Sequence, residues 1–243
     1  MQRLRRAIGW IVGMAAAITI AFVLWATLRG RPQDLPWTPV DLAEPAGMFT
    51  GSKLAALGED APRCRALLSR AGIRYTAIAP RRDSPQCGYA DGIRFDAGGA
   101  RRIAMRPAGL AVACPVAAAL AMWEWQVVQP AAQRYLGASV VAIDHLGSYN
   151  CRRIYGSARD SWSEHATADA IDVAGFRFAN GMRITVLGDW KTGGAKAAFL
   201  LEVRDGACRV FATTLSPEYN AAHADHLHLD QANRGVMGWR ACR

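Results

Sequence analysis

Ser163-Glu-His165-Ala-Thr-Ala168-Asp-Ala170-Ile-Asp172 and, further along, His223-Ala-Asp225-His226-Leu-His228-Leu-Asp230 hold four of the chain's five histidines. In His226–Asp230 polar and apolar residues alternate. On a strand, both histidines then project from one face while Leu227 and Leu229 enter the core. A lone histidine is ordinarily a hydrogen-bonded core or surface residue. Four gathered in two short segments with an aspartate read instead as a metal site. Imidazole and carboxylate are donors zinc accepts, and a hydrolytic zinc takes about three protein ligands and keeps one position open. His165, Asp172 and His228 supply such a set. Asp169 and Asp225 are candidates for supporting it from outside, Asp225 being expected to point away from its histidine neighbours. His145, isolated before Gly147, keeps the ordinary reading.

Working outward, strands and helices intermingle, which defines an α+β domain with a small antiparallel sheet carrying the site and packed against helices. A helix opens with Asp60 as its N-cap and Pro62 in the first turn, and Gly72 stops it. Ile73–Ala77 reads as a short strand, and Pro80–Gly99 as loop-rich. Pro115–Leu136 is the longest helical pattern, kinked or split at Pro130. Ser139–Ile143 and Met182–Leu187 are strand candidates. A helix over Ala195–Arg204 is expected to stop at Gly206, and Asp225–Asp230 is the last strand candidate.

At the other end, Ala7–Leu28 is 22 residues without a charge, about 33 Å as a helix against roughly 30 Å of hydrocarbon. Three arginines precede it, and Trp10 and Trp25 lie near its ends. The expectation is a cytoplasmic basic tail over residues 1–6 and a transmembrane anchor over 7–28, with the rest exported. A cleaved signal peptide is the competing reading, but the apolar run exceeds the usual length and no clean small-residue cleavage site follows Trp25. Residues 29–55, with Pro32, Pro36, Pro39 and Pro45, read as an extended, unfolded periplasmic tether, leaving 56–243 as the domain.

The net charge of +9 does not imply nucleic acid, because Arg3, Arg5, Arg6, Arg29 and Arg31 precede the first acidic residue and leave +4 for the remainder. All six cysteines follow the anchor, as expected of disulfides in an oxidising compartment, and none is spaced closely enough for a zinc–thiolate site. The least entangled pairing is Cys64–Cys87, Cys114–Cys151 and Cys208–Cys242.

The segment Ser163–Asp172 resembles the S-x-H-x-x-G-x-A-x-D motif of the LAS metallopeptidases (lysostaphin, D-Ala-D-Ala peptidases, sonic hedgehog). His226-Leu-His228 resembles their H-x-H, in the same chain order. Gly147-Ser-Tyr-Asn-Cys-Arg152, the Ser163–Ala166 segment, Asp205–Phe211 and Tyr219–His223 look like the bacterial extensin-like C-terminal domain family, over roughly Cys64 to Cys242. The resemblance implies a LAS-like fold, His165, Asp172 and His228 as zinc ligands, and His226 as base or transition-state partner. His223 matches a further active-site histidine of the murein endopeptidase branch, whereas that branch's histidine three residues before the first ligand is Trp162 here. The motif's glycine is Ala168, which implies a turn without positive φ.

Arg152 loosely matches an arginine that faces substrate in LAS enzymes, and a guanidinium suits an oxyanion or a carboxylate. The implied activity is zinc-dependent hydrolysis of peptidoglycan stems or cross-links, with peptidoglycan and the inner membrane as partners. The competing expectation is a wall-binding or structural module whose zinc only stabilises the fold.

Overall fold

A computed structural model of the chain describes residues 2–154, 161–235 and 238–243. The first helix, α1 (Gln2–Arg29), contains one segment, Arg5–Thr27, long and apolar enough to cross a membrane, and none of its apolar window is buried in the fold. Its hydroxyls are satisfied within the helix. Thr19 donates to the Ala15 carbonyl at 2.9 Å and Thr27 to that of Val23 at 3.0 Å, as an apolar medium requires.

Residues 29–55, expected as an unfolded tether, lie against the domain instead. Val40 and Leu42 are 6% and 1% exposed and belong to the main core, as does Leu54 of α2 (Thr50–Ala55). The segment is not extended throughout, since Pro32–Asp34 forms a 3₁₀ turn and Thr50–Ala55 a helix, and the chain between them turns back onto the domain for its partners. The Gln126 side chain clamps it, donating to the Glu44 carbonyl at 2.8 Å and accepting from the Ala46 N–H at 2.9 Å.

Helix α3 (Ala61–Arg70) follows, its Asp60 cap accepting from the Arg63 N–H at 3.1 Å. The stretch expected to be loop after β1 (Ile73–Ala77) contains three strands, β2 (Arg81–Ser84), β3 (Cys87–Tyr89) and β4 (Ile93–Gly99). Their surfaces are largely exposed, so no apolar alternation announced them. β1, β4 and β6 (Ala111–Val112) form a three-stranded sheet, and β2 and β3 a separate hairpin. β5 (Ala104–Arg106) joins the main sheet.

The long helical run is continuous but changes pitch. α4 (Cys114–Trp123) passes through a π turn, Glu124–Val128, into α5 (Gln129–Leu136). Pro130 has no N–H to return into the helix, and the wider turn just before it absorbs that lost bond.

The main sheet has seven strands. β7 (Val140–Gly147), β8 (Ala170–Phe178), β9 (Arg183–Thr185), β10 (Thr213–Leu215), β11 (Leu227–Asp230) and β12 (Ala241–Cys242) join β5 in the order β12-β10-β11-β8-β7-β5, with β9 beside β8. Its centre is antiparallel. Both edge strands, β5 and β12, join it in parallel. Met182–Leu187 splits into β9 and a short helix, α6 (Val186–Asp189).

Helix α7 (Gly194–Val210) runs through Gly206 rather than stopping there. Glycine serves packing at that position, since a Cβ would overlap the Val127 side chain of the π turn. Trp123, Phe176, Phe199 and Phe211 fill the space between helices and sheet, and the Trp123 indole donates to the Val203 carbonyl at 2.8 Å.

Three disulfides tie these layers: Cys64–Cys114, Cys87–Cys151 and Cys208–Cys242. The third is the pairing expected. The first two replace Cys64–Cys87 and Cys114–Cys151, because α3 packs on α4 while the β2–β3 hairpin folds onto the loop after β7.

If residues 29–55 belong to the core, Leu42→Ala should lower unfolding stability by about 2–4 kcal/mol, the usual cost of a buried leucine. Denaturant melts of the full chain check this. A loose tether would leave the midpoint unchanged.

Candidate metal centre

Strand register brings the site together. In the antiparallel pair β8–β11, His228 lies directly opposite Asp172, while the flanking Leu227 and Leu229 are fully buried on the other face. His165 arrives from a single 3₁₀ turn, Glu164–Thr167, capped by Ser163, whose Oγ accepts from the His165 N–H at 3.3 Å. Between that turn and β8 the chain reverses at Ala168, the one non-glycine residue with positive φ among the described residues (59°). The turn does need the left-handed region, contrary to the inference from alanine replacing the motif's glycine. Its strain, of order 1–2 kcal/mol, is held by the Ala168 carbonyl. That oxygen accepts from the Ala113 N–H at 3.0 Å and the Ser148 hydroxyl at 3.2 Å.

Three ligand atoms converge. His165 Nε2 lies 3.2 Å from His228 Nδ1 and 3.2 Å from the Asp172 carboxylate, and His228 Nδ1 lies 3.0 Å from Asp172 Oδ1. Among the described residues, His165, Asp172 and His228 are the group able to hold a metal ion, with ligand atoms within 4.8 Å of one another. The tautomers follow from the opposite ring nitrogens. His165 Nδ1 faces the Ser148 carbonyl at 2.5 Å, and His228 Nε2 faces Asp230 at 3.1 Å. Both partners only accept, so those nitrogens carry the protons and the inward nitrogens present lone pairs.

Two lone pairs and a carboxylate aimed at one point repel unless a cation stands between them, and the residues present fit a divalent metal. Without one, a proton partly substitutes. Burial alone lowers the His228 pKa, but hydrogen bonds to Asp172 and Asp230 outweigh it and raise it to about 9. Burial likewise disfavours ionised Asp172, yet hydrogen bonds from His165 and His228 hold its carboxyl well below the usual range.

The other candidates surround this point. His226 Nε2 lies 3.5 Å from Asp172 Oδ1, and its Nδ1 donates to Asp225 at 2.8 Å. Asp225 therefore turns toward its histidine neighbour, not away, because His226 precedes β11 and escapes strict alternation. His223 donates through Nδ1 to Asn220 at 2.7 Å and stacks edge-on against Tyr219. Burial first, then the neighbouring His226 and His228, depress its pKa to about 4, so it is neutral at pH 7. Arg152 is exposed, and its main chain is paired to the segment before His165 through the Ser163 N–H at 3.1 Å.

Arg152, His223, His226 and His228 all line one cleft of about 620 Å³, walled by Trp162, Tyr219 and Trp239. His145 keeps its ordinary role, its Nε2 2.9 Å from the Pro107 carbonyl.

Sequence reasoning missed Asp230 and Ser148. The i, i+2 spacing of His228 and Asp230 on one strand face was the available signal for the first. For Ser148 there was none, since a main-chain carbonyl has no signature. Asp169, proposed as support, does not reach the ligands. Burial and the nearby Asp91 push its carboxyl up to about 8, while its main-chain carbonyl accepts from the Gln231 N–H at 2.9 Å.

The fold and site define an α+β domain, behind one N-terminal apolar helix, with a two-histidine, one-aspartate group able to hold a metal ion, whose His228 lines an open cleft. The chain belongs to the extensin-like family: the family described as Extensin-like protein C-terminus matches residues 62–243. No curated protein and no solved structure matches the chain.

Two outcomes test the site. Asp230→Ala should lower metal affinity about 10–100-fold by freeing the His228 ring, measured by chelator competition with the circular dichroism unchanged. For Asp169, the folded state holds a proton between pH 3.8 and about 8 that the unfolded chain has released. Its contribution to stability therefore falls as pH rises through that window. Asp169→Asn should flatten the decline, so that its melting temperature gains on wild type as pH goes from 5 to 8.

Proposed function

We propose that the chain is a zinc-dependent peptidase of bacterial cell-wall peptidoglycan, anchored in the inner membrane by α1 with its domain in the periplasm. The observation that carries the reading is the convergence of His165 Nε2, the Asp172 carboxylate and Nδ1 of His228, which lines an open cleft together with His223 and His226. A structural zinc is ordinarily enclosed by four protein ligands, whereas a catalytic one keeps a position for water or substrate.

Zinc held by that set would polarise a carbonyl and bring the pKa of water toward about 7. The chain's own residues supply the rest. With Nδ1 committed to Asp225, His226 has Nε2 free beside the ligands, where it can take the proton of an attacking water and return it to the leaving amine. His223, neutral and anchored by Asn220, presents its second nitrogen in the same cleft and suits a hydrogen bond to substrate. The Arg152 guanidinium can stabilise the developing oxyanion or hold a substrate carboxylate.

The peptidase reading draws on the resemblance of Ser163–Asp172 and His226–His228 to the LAS motifs. Peptidoglycan as substrate draws on compartment: an apolar N-terminal helix preceded by arginines, and three disulfides of the kind that persist outside the cytoplasm.

Purified full chain incubated with sacculi should release muropeptides with shortened stems or opened cross-links, and chelation should stop it. His228→Ala should lose both metal and activity. His226→Ala should keep about one equivalent of zinc and its fold but turn over about 10²–10⁴-fold more slowly. Zinc-loaded protein that releases nothing, with His226→Ala indistinguishable from wild type, would replace the peptidase with a zinc-stabilised wall-binding module.

A further inference from the structure

The chain allows almost no slack between its apolar helix and its folded domain. α1 ends at Arg29, and the next residues held by the domain begin at Pro32, whose carbonyl accepts from the Lys53 ammonium at 3.0 Å and from the Thr38 hydroxyl. Gln33 follows, 3% exposed, its carbonyl accepting from the Phe49 N–H at 3.2 Å. Gly30 and Arg31 alone separate the two, a reach of about 10 Å even when fully extended.

The helix end has the character of a membrane interface. The Arg29 guanidinium sits 4.9 Å from the centre of the Trp25 ring, the pairing of indole and snorkelling cation expected at headgroup depth. The segment that follows exposes two large apolar side chains. Trp37 is 77% exposed, and Met48, whose N–H is held by Asp34 at 2.6 Å, is 67% exposed.

We propose that the segment carrying Trp37 and Met48 rests on the bilayer that holds α1, Trp37 entering the headgroup region. The domain is then seated on the membrane surface, not suspended above it. This rests on the reading of α1 as a membrane span. The occupant is the lipid surface itself, because the two-residue connection keeps the start of this segment within about 10 Å of the end of α1. Trp37 adjoins Thr38, whose hydroxyl is bonded to the Pro32 carbonyl at the end of that short reach, and an exposed indole close to the interface gains from entering it. A domain of this size is about 45 Å across, so the cleft works within roughly 55 Å of the bilayer. Its substrate is then the membrane-facing layer of the wall or membrane-attached wall precursors.

The test uses the full chain in liposomes of phosphatidylcholine brominated near the headgroup end of the acyl chains. Trp37→Phe reads the contribution of one exposed indole by difference and puts no core packing at risk. Emission assigned to Trp37 should fall by about half or more in brominated relative to plain vesicles, while the remaining emission is also quenched through Trp10 and Trp25. Trp37 emission unchanged by bromine, with Trp10 and Trp25 still quenched, overturns the seating and leaves the anchor standing. No quenching of any tryptophan overturns the anchor and the seating with it.

Discussion

Two imidazole lone pairs and a carboxylate meet within about the width of one ion, and the electrostatics of that meeting organises the domain. The pairing of β8 with β11 sets Asp172 opposite His228, and a slip of β11 by one residue would turn His228 into the core and expose Leu227 and Leu229. Burying those leucines therefore fixes the ligands as firmly as any contact the ligands make themselves. The outer ring nitrogens are tied to Ser148 and Asp230, so the rings arrive in the tautomer that faces lone pairs inward. A cation at that point relieves a repulsion that the fold has already built.

The surroundings hold this arrangement from several sides. The left-handed turn at Ala168 carries the chain from His165 back to Asp172, and its carbonyl is pinned by donors from α4's entry and from the loop after β7. The Cys87–Cys151 disulfide fastens the β2–β3 hairpin to that same loop, next to Arg152. Elements distant in sequence are thus fastened to the loop that bears the arginine. The Asp144 carboxylate, gripped by Arg177 and Arg183 at 2.7 and 2.8 Å, steadies the far half of β7 and β8 away from the chemistry.

At the opposite end, the proline-rich segment shows how one local conformation serves two purposes. Chain with few regular hydrogen bonds makes a good spacer, and it equally makes a good strap if side chains such as Gln126 offer the missing partners. Here the strap also buries Leu42, which joins the N-terminal helix closely to the body it precedes.

By itself the sequence determined what periodicity and local chemistry can determine. The apolar helix, the Asp60 cap, the alternation of His226–Asp230 with its leucines inward, and the gathering of four histidines into two short segments are all properties of neighbouring residues, written in spacing. Only the tertiary structure decided which cysteine meets which, that Gly206 is a packing contact with Val127, that residues 29–55 belong to the core, and that Asp225 turns toward His226. It also supplied Ser148 and Asp230, the groups that orient the ligands. Those outcomes depend on surfaces contributed by residues far away in the chain. A carbonyl, a glycine or a proline-rich strand looks the same in sequence whether or not such a surface is there to receive it.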